Sequence, residues 1–229
     1  MLPLIQIPAL GCDAGLYAPF NAALGVAGQT IIATANRTTG CVQQVLAQVP
    51  REFILMGTSF GARVAMETAL AAPERVKGLI VIGAGPGPVV DQAGGLQRSA
   101  RARGGEFENV LQEMGDIISH LPGPQGVETM EAFRAMSRKL GAENFALQSD
   151  ALAHRTDLWP RMGEITCPVL CLWGDHDQYT SADVGQKIAA AVPHGQCVIL
   201  ADCGHFPTLE YPAEAARVAR EWLAGNGAA

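Results

Sequence analysis

The stretch Gly57-Thr58-Ser59-Phe60-Gly61 follows a short apolar run, Glu52-Phe53-Ile54-Leu55-Met56, and precedes alanines 62, 65, 69 and 72, which recur at helical spacing until Pro73. That order reads as a buried strand, a sharp turn and a helix, with Ser59 at the tip of the turn. Glycines two residues to either side let the backbone bend tightly and let the helix approach the sheet, because neither carries a Cβ. A serine held there projects its hydroxyl out of the fold above a helix N-terminus, as in a Gly-x-Ser-x-Gly nucleophile elbow. The plainer alternative is a glycine-rich strand-to-helix turn in which Ser59 is an ordinary helix cap.

The surrounding rhythm is that of a parallel sheet. Leu4 to Ala9 reads as a first buried strand, and Leu16 to Val26 as a helix. A short strand around Thr30 to Thr34 and a helix over Cys41 to Val49 follow. After the elbow, Arg75 to Gly83 becomes wholly apolar beyond its charged lead-in, and Cys167 to Trp173 and Gln196 to Leu200 repeat the strand pattern. Helices over Ser181 to Val192 and from Pro212 onward complete the alternation. Strands alternating with helices at this spacing form a parallel sheet covered on both faces. The expected fold is therefore α/β, a single domain over residues 1–229 with about six strands.

Between about 86 and 162 the alternation stops. Gly85-Pro86-Gly87-Pro88 opens the segment, and no strand pattern appears in it. Phe107, Val110, Leu111, Met114, Ile117, Ile118 and Leu121 keep helical spacing, and Met130, Phe133, Met136 or Ser137, and Leu140 suggest a second amphipathic helix. Such an insertion is expected to lie as a helical cap over the C-terminal edge of the sheet, where open α/β folds bind ligands. Met114 and Phe133 are its candidate substrate-binding residues; helices that merely thicken the fold are the alternative.

The 229 residues carry 22 acidic and 16 basic side chains, for a formal charge of −6, and no basic run with interleaved aromatics that would suit nucleic acid. No apolar stretch reaches membrane-spanning length, and Met1 to Pro8 reads as a strand and not as a signal peptide. Of six cysteines at 12, 41, 167, 171, 197 and 203, three (167, 171 and 197) fall in strand patterns, and all are read as free thiols, which points to a reducing cytoplasm. The expected partner is a small-molecule substrate, with a homodimer left open.

A serine hydroxyl needs an adjacent base, itself oriented by a third group. His205 follows the last strand beside Gly204, and Asp175 and Asp177 both follow the strand ending at Gly174. Either aspartate could reach His205. A tetrahedral intermediate also needs two backbone donors: the Phe60 N–H after the serine, and one from the loop after the first strand, expected to be that of Cys12. His120, His154, His176 and His194 are read as structural or solvated, and no paired histidine spacing supplies a metal site.

Taken together, these segments resemble the α/β-hydrolase superfamily over nearly the whole chain. The resemblance rests on the elbow, on Pro73-Glu74-Arg75-Val76, on Pro168 to Asp177, on Arg155 and Asp157, and on Gly204-His205-Phe206 with Glu210-Tyr211-Pro212. It implies the order Ser59, Asp177, His205, favours Asp177 over Asp175 by spacing, and requires no cofactor. Leu10-Gly11 stands where the family has His-Gly, and the N-terminal hairpin common in the family is missing. The implied activity is hydrolysis of a small carboxylic ester or lactone. Carbon–carbon bond hydrolysis, lyase or perhydrolase chemistry, and ligand sensing by a protein that keeps the triad are the alternatives.

Overall fold

A computed structural model describes residues 2–226. Its centre is a six-stranded sheet in which every neighbouring pair is parallel, in the order β2-β1-β3-β4-β5-β6. The strands are β1 (Leu4–Ile7), β2 (Gln29–Thr30), β3 (Phe53–Thr58), β4 (Val76–Ile82), β5 (Val169–Gly174) and β6 (Gly195–Leu200). Every residue of β1, β3 and β5 is buried, which explains why these runs are mainly apolar and do not alternate, with Gln6 and Thr58 the buried polar exceptions.

The chain leaves β1 toward one edge and returns past it to β3. Right-handed crossovers then put the helices before and after that reversal on opposite faces. α1 (Ala18–Leu24) packs with the closing helix α10 (Pro212–Gly225), while α2 (Thr38–Leu46) packs with α3 (Phe60–Ala71). α8 (Ala182–Ala191) packs on β5 and β6, and the short α9 (Pro207–Glu210) precedes α10. The reversal between β1 and β3 is the point at which open α/β sheets leave a crevice at the strand C-termini.

Local boundaries shift by a few residues from the sequence expectations, and two cases stand out. The strand expected over 30–34 pairs only at Gln29 and Thr30, at the sheet edge. The helix expected over 41–49 starts earlier, at Thr38.

Between β4 and β5 the chain forms four helices where the sequence suggested two: α4 (Gln92–Arg101), α5 (Phe107–Gly115), α6 (Gly126–Leu140) and α7 (Ala142–Ala153). α4 packs against α7, and α5 against α6. α4 carries Gly95 and Ser99 on its packing side, and α7 buries Ala146, Ser149, Ala151 and Ala153. Small residues at a close helix–helix contact leave little hydrophobic periodicity to read, which is why both helices escaped notice.

Candidate active site

The elbow is built as its glycines require. Ser59 has φ 53° and ψ −116°, a conformation that costs a non-glycine residue about 1–3 kcal/mol and persists only where the surroundings impose it. A Cβ on Gly61 would overlap the Ile7 carbonyl of β1, and one on Gly57 would overlap the backbone of Gly61. Both glycines therefore allow the start of α3 to sit directly on the sheet, with Ser59 above its first turn. The Ser59 N–H donates to the Ile82 carbonyl at 2.7 Å, tying the turn to the end of β4.

His205 and Asp177 meet at the same edge. His205 Nδ1 lies 2.8 Å from Asp177 Oδ2, with side-chain exposures of 2% and 1%. The second carboxylate oxygen, Asp177 Oδ1, accepts the N–H groups of Tyr179 and Thr180 at 2.8 and 3.0 Å. Asp175 goes elsewhere: its Oδ1 accepts the Cys203 N–H at 3.2 Å. The chain turns between the two aspartates, and only Asp177 reaches the imidazole.

Ser59 and His205 line one cavity, together with Leu10, Arg98, Met114 and Tyr179. Met114 was expected there. Phe133 is not among the lining residues: it is fully buried and packs on Phe206, with ring centroids 6.3 Å apart. Phe206 stands between Phe133 and the cavity, so that face of α6 serves the core.

The expected Cys12 donor needs correction. Its N–H is already spent on the Ala9 carbonyl at 2.9 Å, and the residue is completely buried. Gly11 N–H is also used, by Gln148 Oε1 at 2.9 Å. Leu10 lines the cavity beside Ser59, and no acceptor among the described residues pairs with its N–H. Leu10, not Cys12, therefore presents an unused amide, alongside that of Phe60 at the start of α3.

Several supporting residues carry no sequence signal of their own. Gln148 is fully buried on α7 and bridges Gly11 N–H to the Ala33 carbonyl, holding the loop that carries Leu10. Gly83 has φ 63°, and a Cβ there would lie 2.8 Å from His205 Cε1 and 3.3 Å from Asp177 Oδ2. Tyr179 donates its hydroxyl to the Met114 carbonyl at 3.0 Å and faces His205 with ring centroids 4.9 Å apart. Burial pushes its phenol well above the ordinary range. Buried Glu210 accepts Gly204 N–H and His120 N–H on Oε2, at 2.8 and 2.9 Å, and Phe206 N–H on Oε1 at 3.0 Å.

Among the described residues, His120, His176 and Asp202 bring metal-ligating atoms within 4.8 Å of one another. The two imidazoles stack 3.9 Å apart with planes 13° from parallel. Their in-plane lone pairs thus run side by side instead of converging, and none of the three lines the cavity.

A fixed carboxylate–imidazole pair, a strained serine and two unspent amides are the parts needed for acyl transfer. A family model described as "Alpha/beta hydrolase family" matches residues 10–218. A 2-hydroxy-6-oxononadienedioate/2-hydroxy-6-oxononatrienedioate hydrolase of Cupriavidus pinatubonensis is 30% identical over 185 residues, covering 75% of this chain and 62% of that protein. A like-named hydrolase 1 of Dechloromonas aromatica is 28% identical over 177 residues, covering 74% and 61%. The match thus spans about three fifths of the length of these curated relatives. A thermophilic esterase from Thermogutta terrifontis superposes with TM-score 0.89 at 20% identity, covering 99% of this chain and 90% of that one. The enol-lactonase of Burkholderia xenovorans LB400 superposes with TM-score 0.84 at 18% identity, covering 98% and 92%. At those identities the structural likeness speaks for the fold.

Proposed function

The chain belongs to the alpha/beta hydrolase family, and on that premise we propose that it is a cofactor-free serine hydrolase that cleaves a small carboxylic ester or lactone. The observation that carries this reading is the buried His205–Asp177 pair at 2.8 Å, opening on the cavity that holds Ser59. Asp177 fixes Nδ1 as the protonated nitrogen, which leaves Nε2 as the base. Ser59 Oγ attacks the carbonyl as Nε2 takes its proton, and the Phe60 and Leu10 amides receive the charge that builds on the carbonyl oxygen. The imidazolium returns the proton to the leaving oxygen, and water then cleaves the acyl-enzyme by the same route. Ser59 and His205 share no direct hydrogen bond among the described residues, and such bonds commonly tighten only in the complex.

The α4–α7 segment acts in this account as a cap over the cavity, supplying Met114 and excluding water. The six cysteines are unpaired, in keeping with a cytoplasmic protein. No helix is long and apolar enough to cross a membrane among the described residues.

The names of the curated relatives favour a second reading, hydrolysis of a carbon–carbon bond. The same residues would serve, with a carbanion-stabilised fragment leaving in place of an alkoxide. Assaying the protein on short p-nitrophenyl esters, simple lactones and a vinylogous 1,5-diketone separates the readings. Steady turnover of esters or lactones supports the first, and turnover of the diketone alone supports the second. One slow turnover followed by tight retention of product would favour ligand sensing.

A further inference from the structure

The arginines around the C-terminal edge of the sheet divide by whether a carboxylate pairs with them. Arg101 is paired with Glu106 and Glu113, and Arg103 with Glu143 and Asp150, all toward solvent. Arg63, on α3, is buried against Glu67 and the carbonyls of Pro86, Gly87 and Thr156. Arg98 and Arg155 differ. Arg98 spends Nε on Ser149 Oγ at 2.9 Å, and Arg155 spends Nη1 on the Leu152 carbonyl at 3.1 Å. Neither forms a salt bridge with a carboxylate among the described residues, although both are half-buried.

Both arginines line a space that the nucleophile also borders. A cavity beside Ser59 is lined by Arg98 and Arg155 together with Gly85, Leu152 and Thr180. On its other side, Ser59 borders the apolar space formed by Leu10, Met114, Ile118 and Phe206. Arg98, Leu152 and Tyr179 contribute to both spaces. The serine thus stands at the junction of an apolar chamber and a cationic one.

We propose that Arg98 and Arg155 form an anion subsite, and that the substrate carries a carboxylate on the limb extending from the reacting carbonyl toward α4 and α7. The other limb is apolar and lies along Leu10 and Met114. This rests on the hydrolase reading above. Half-buried guanidinium groups with no directly paired carboxylate are costly, Asp91 acting on Arg98 only from beyond ion-pair distance, and a planar carboxylate matches their donor fork. Burial holds both arginines below their usual range, and the like charges of Arg63 and Arg98 add to this at Arg155. A bound carboxylate would relieve all three effects.

The test is calorimetric titration of adipate into a Ser59→Ala protein, which needs no turnover, beside the same titration with Arg98→Gln or Arg155→Gln added. Adipate should bind in a salt-sensitive manner, and each arginine change should weaken it about tenfold or more. In parallel, the intact protein should prefer the 4-nitrophenyl hemiester of adipic acid over its methyl-capped diester by about tenfold in kcat/KM, a ratio that collapses toward one in Arg98→Gln. Adipate binding that is absent, or unchanged by both substitutions, overturns the subsite, even if esters are turned over. Binding that behaves as expected while no ester or lactone is cleaved supports the subsite and removes the ester and lactone reading instead.

Discussion

His205 Nδ1 and Asp177 Oδ2 lie 2.8 Å apart with both side chains withdrawn from solvent, while Asp175, two residues earlier, stays at the surface and caps the Cys203 N–H. Losing the carboxylate charge at 177 would favour the wrong imidazole tautomer. Asp177→Asn should therefore lower kcat on any ester substrate by up to about ten-thousandfold. Asp175→Asn should cost no more than about tenfold, in keeping with one solvent-accessible hydrogen bond of about 1 kcal/mol. Steady-state assays of both variants on one ester decide between them, and the reverse ranking would move the acid to Asp175.

The two amides assigned to the oxyanion make separate predictions. Cys12→Ala should retain activity within about threefold, because its N–H remains on Ala9 and its side chain does not line the cavity. Leu10→Pro removes the unspent N–H and should cost about a hundredfold or more in kcat. Thermal melts of both proteins separate this from unfolding. A large loss in Cys12→Ala with normal stability would return the role to Cys12.

Gly83 is predicted to be intolerant of any side chain. At φ 63° an alanine is strained by about 1 kcal/mol, and its Cβ would displace the His205 ring. Gly83→Ala should thus lose activity about a hundredfold or more while its melting temperature falls by only a few degrees. Equal activity in the two proteins would show that the imidazole does not sit where Gly83 makes room for it.

Glu210 is predicted to be a positioning residue for the loop bearing His205. Its carboxylate collects the amides of His120, Gly204 and Phe206, and the His205 N–H meets the Ile118 carbonyl at 3.1 Å. Glu210→Gln puts an amide donor against backbone donors, and should lower kcat far more than it raises KM. A change in KM alone, or in stability alone, would assign it a different role.

What could be read from the sequence follows from how local each cause is. The elbow was legible because strand, glycine, serine, glycine and helix are contiguous, and their backbone demands sit within ten residues. The parallel strands were legible because burial on both faces leaves unbroken apolar runs such as Phe53-Ile54-Leu55-Met56. Choosing between Asp175 and Asp177 required the turn at Gly174, whose carbonyl accepts Asp177 N–H at 3.4 Å. Leu10 was missed because a free amide is defined by what its neighbours have already bonded, and Ala9 and Gln148 take the amides of Cys12 and Gly11. Phe133 was misassigned because periodicity marks the buried face of α6 without saying whether core or cavity lies beneath it.

The proposed mechanism requires Ser59 Oγ to be the atom that bonds to the acyl group. Intact-mass spectrometry after exposure to an alkyl fluorophosphonate, followed by peptide mapping, measures this directly. One phosphonyl adduct per chain, located on Ser59, abolished in Ser59→Ala and markedly slowed in Asp177→Asn, is the predicted result. An unmodified Ser59 in a folded protein that still turns over ester, or an equal adduct in Ser59→Ala, would contradict it.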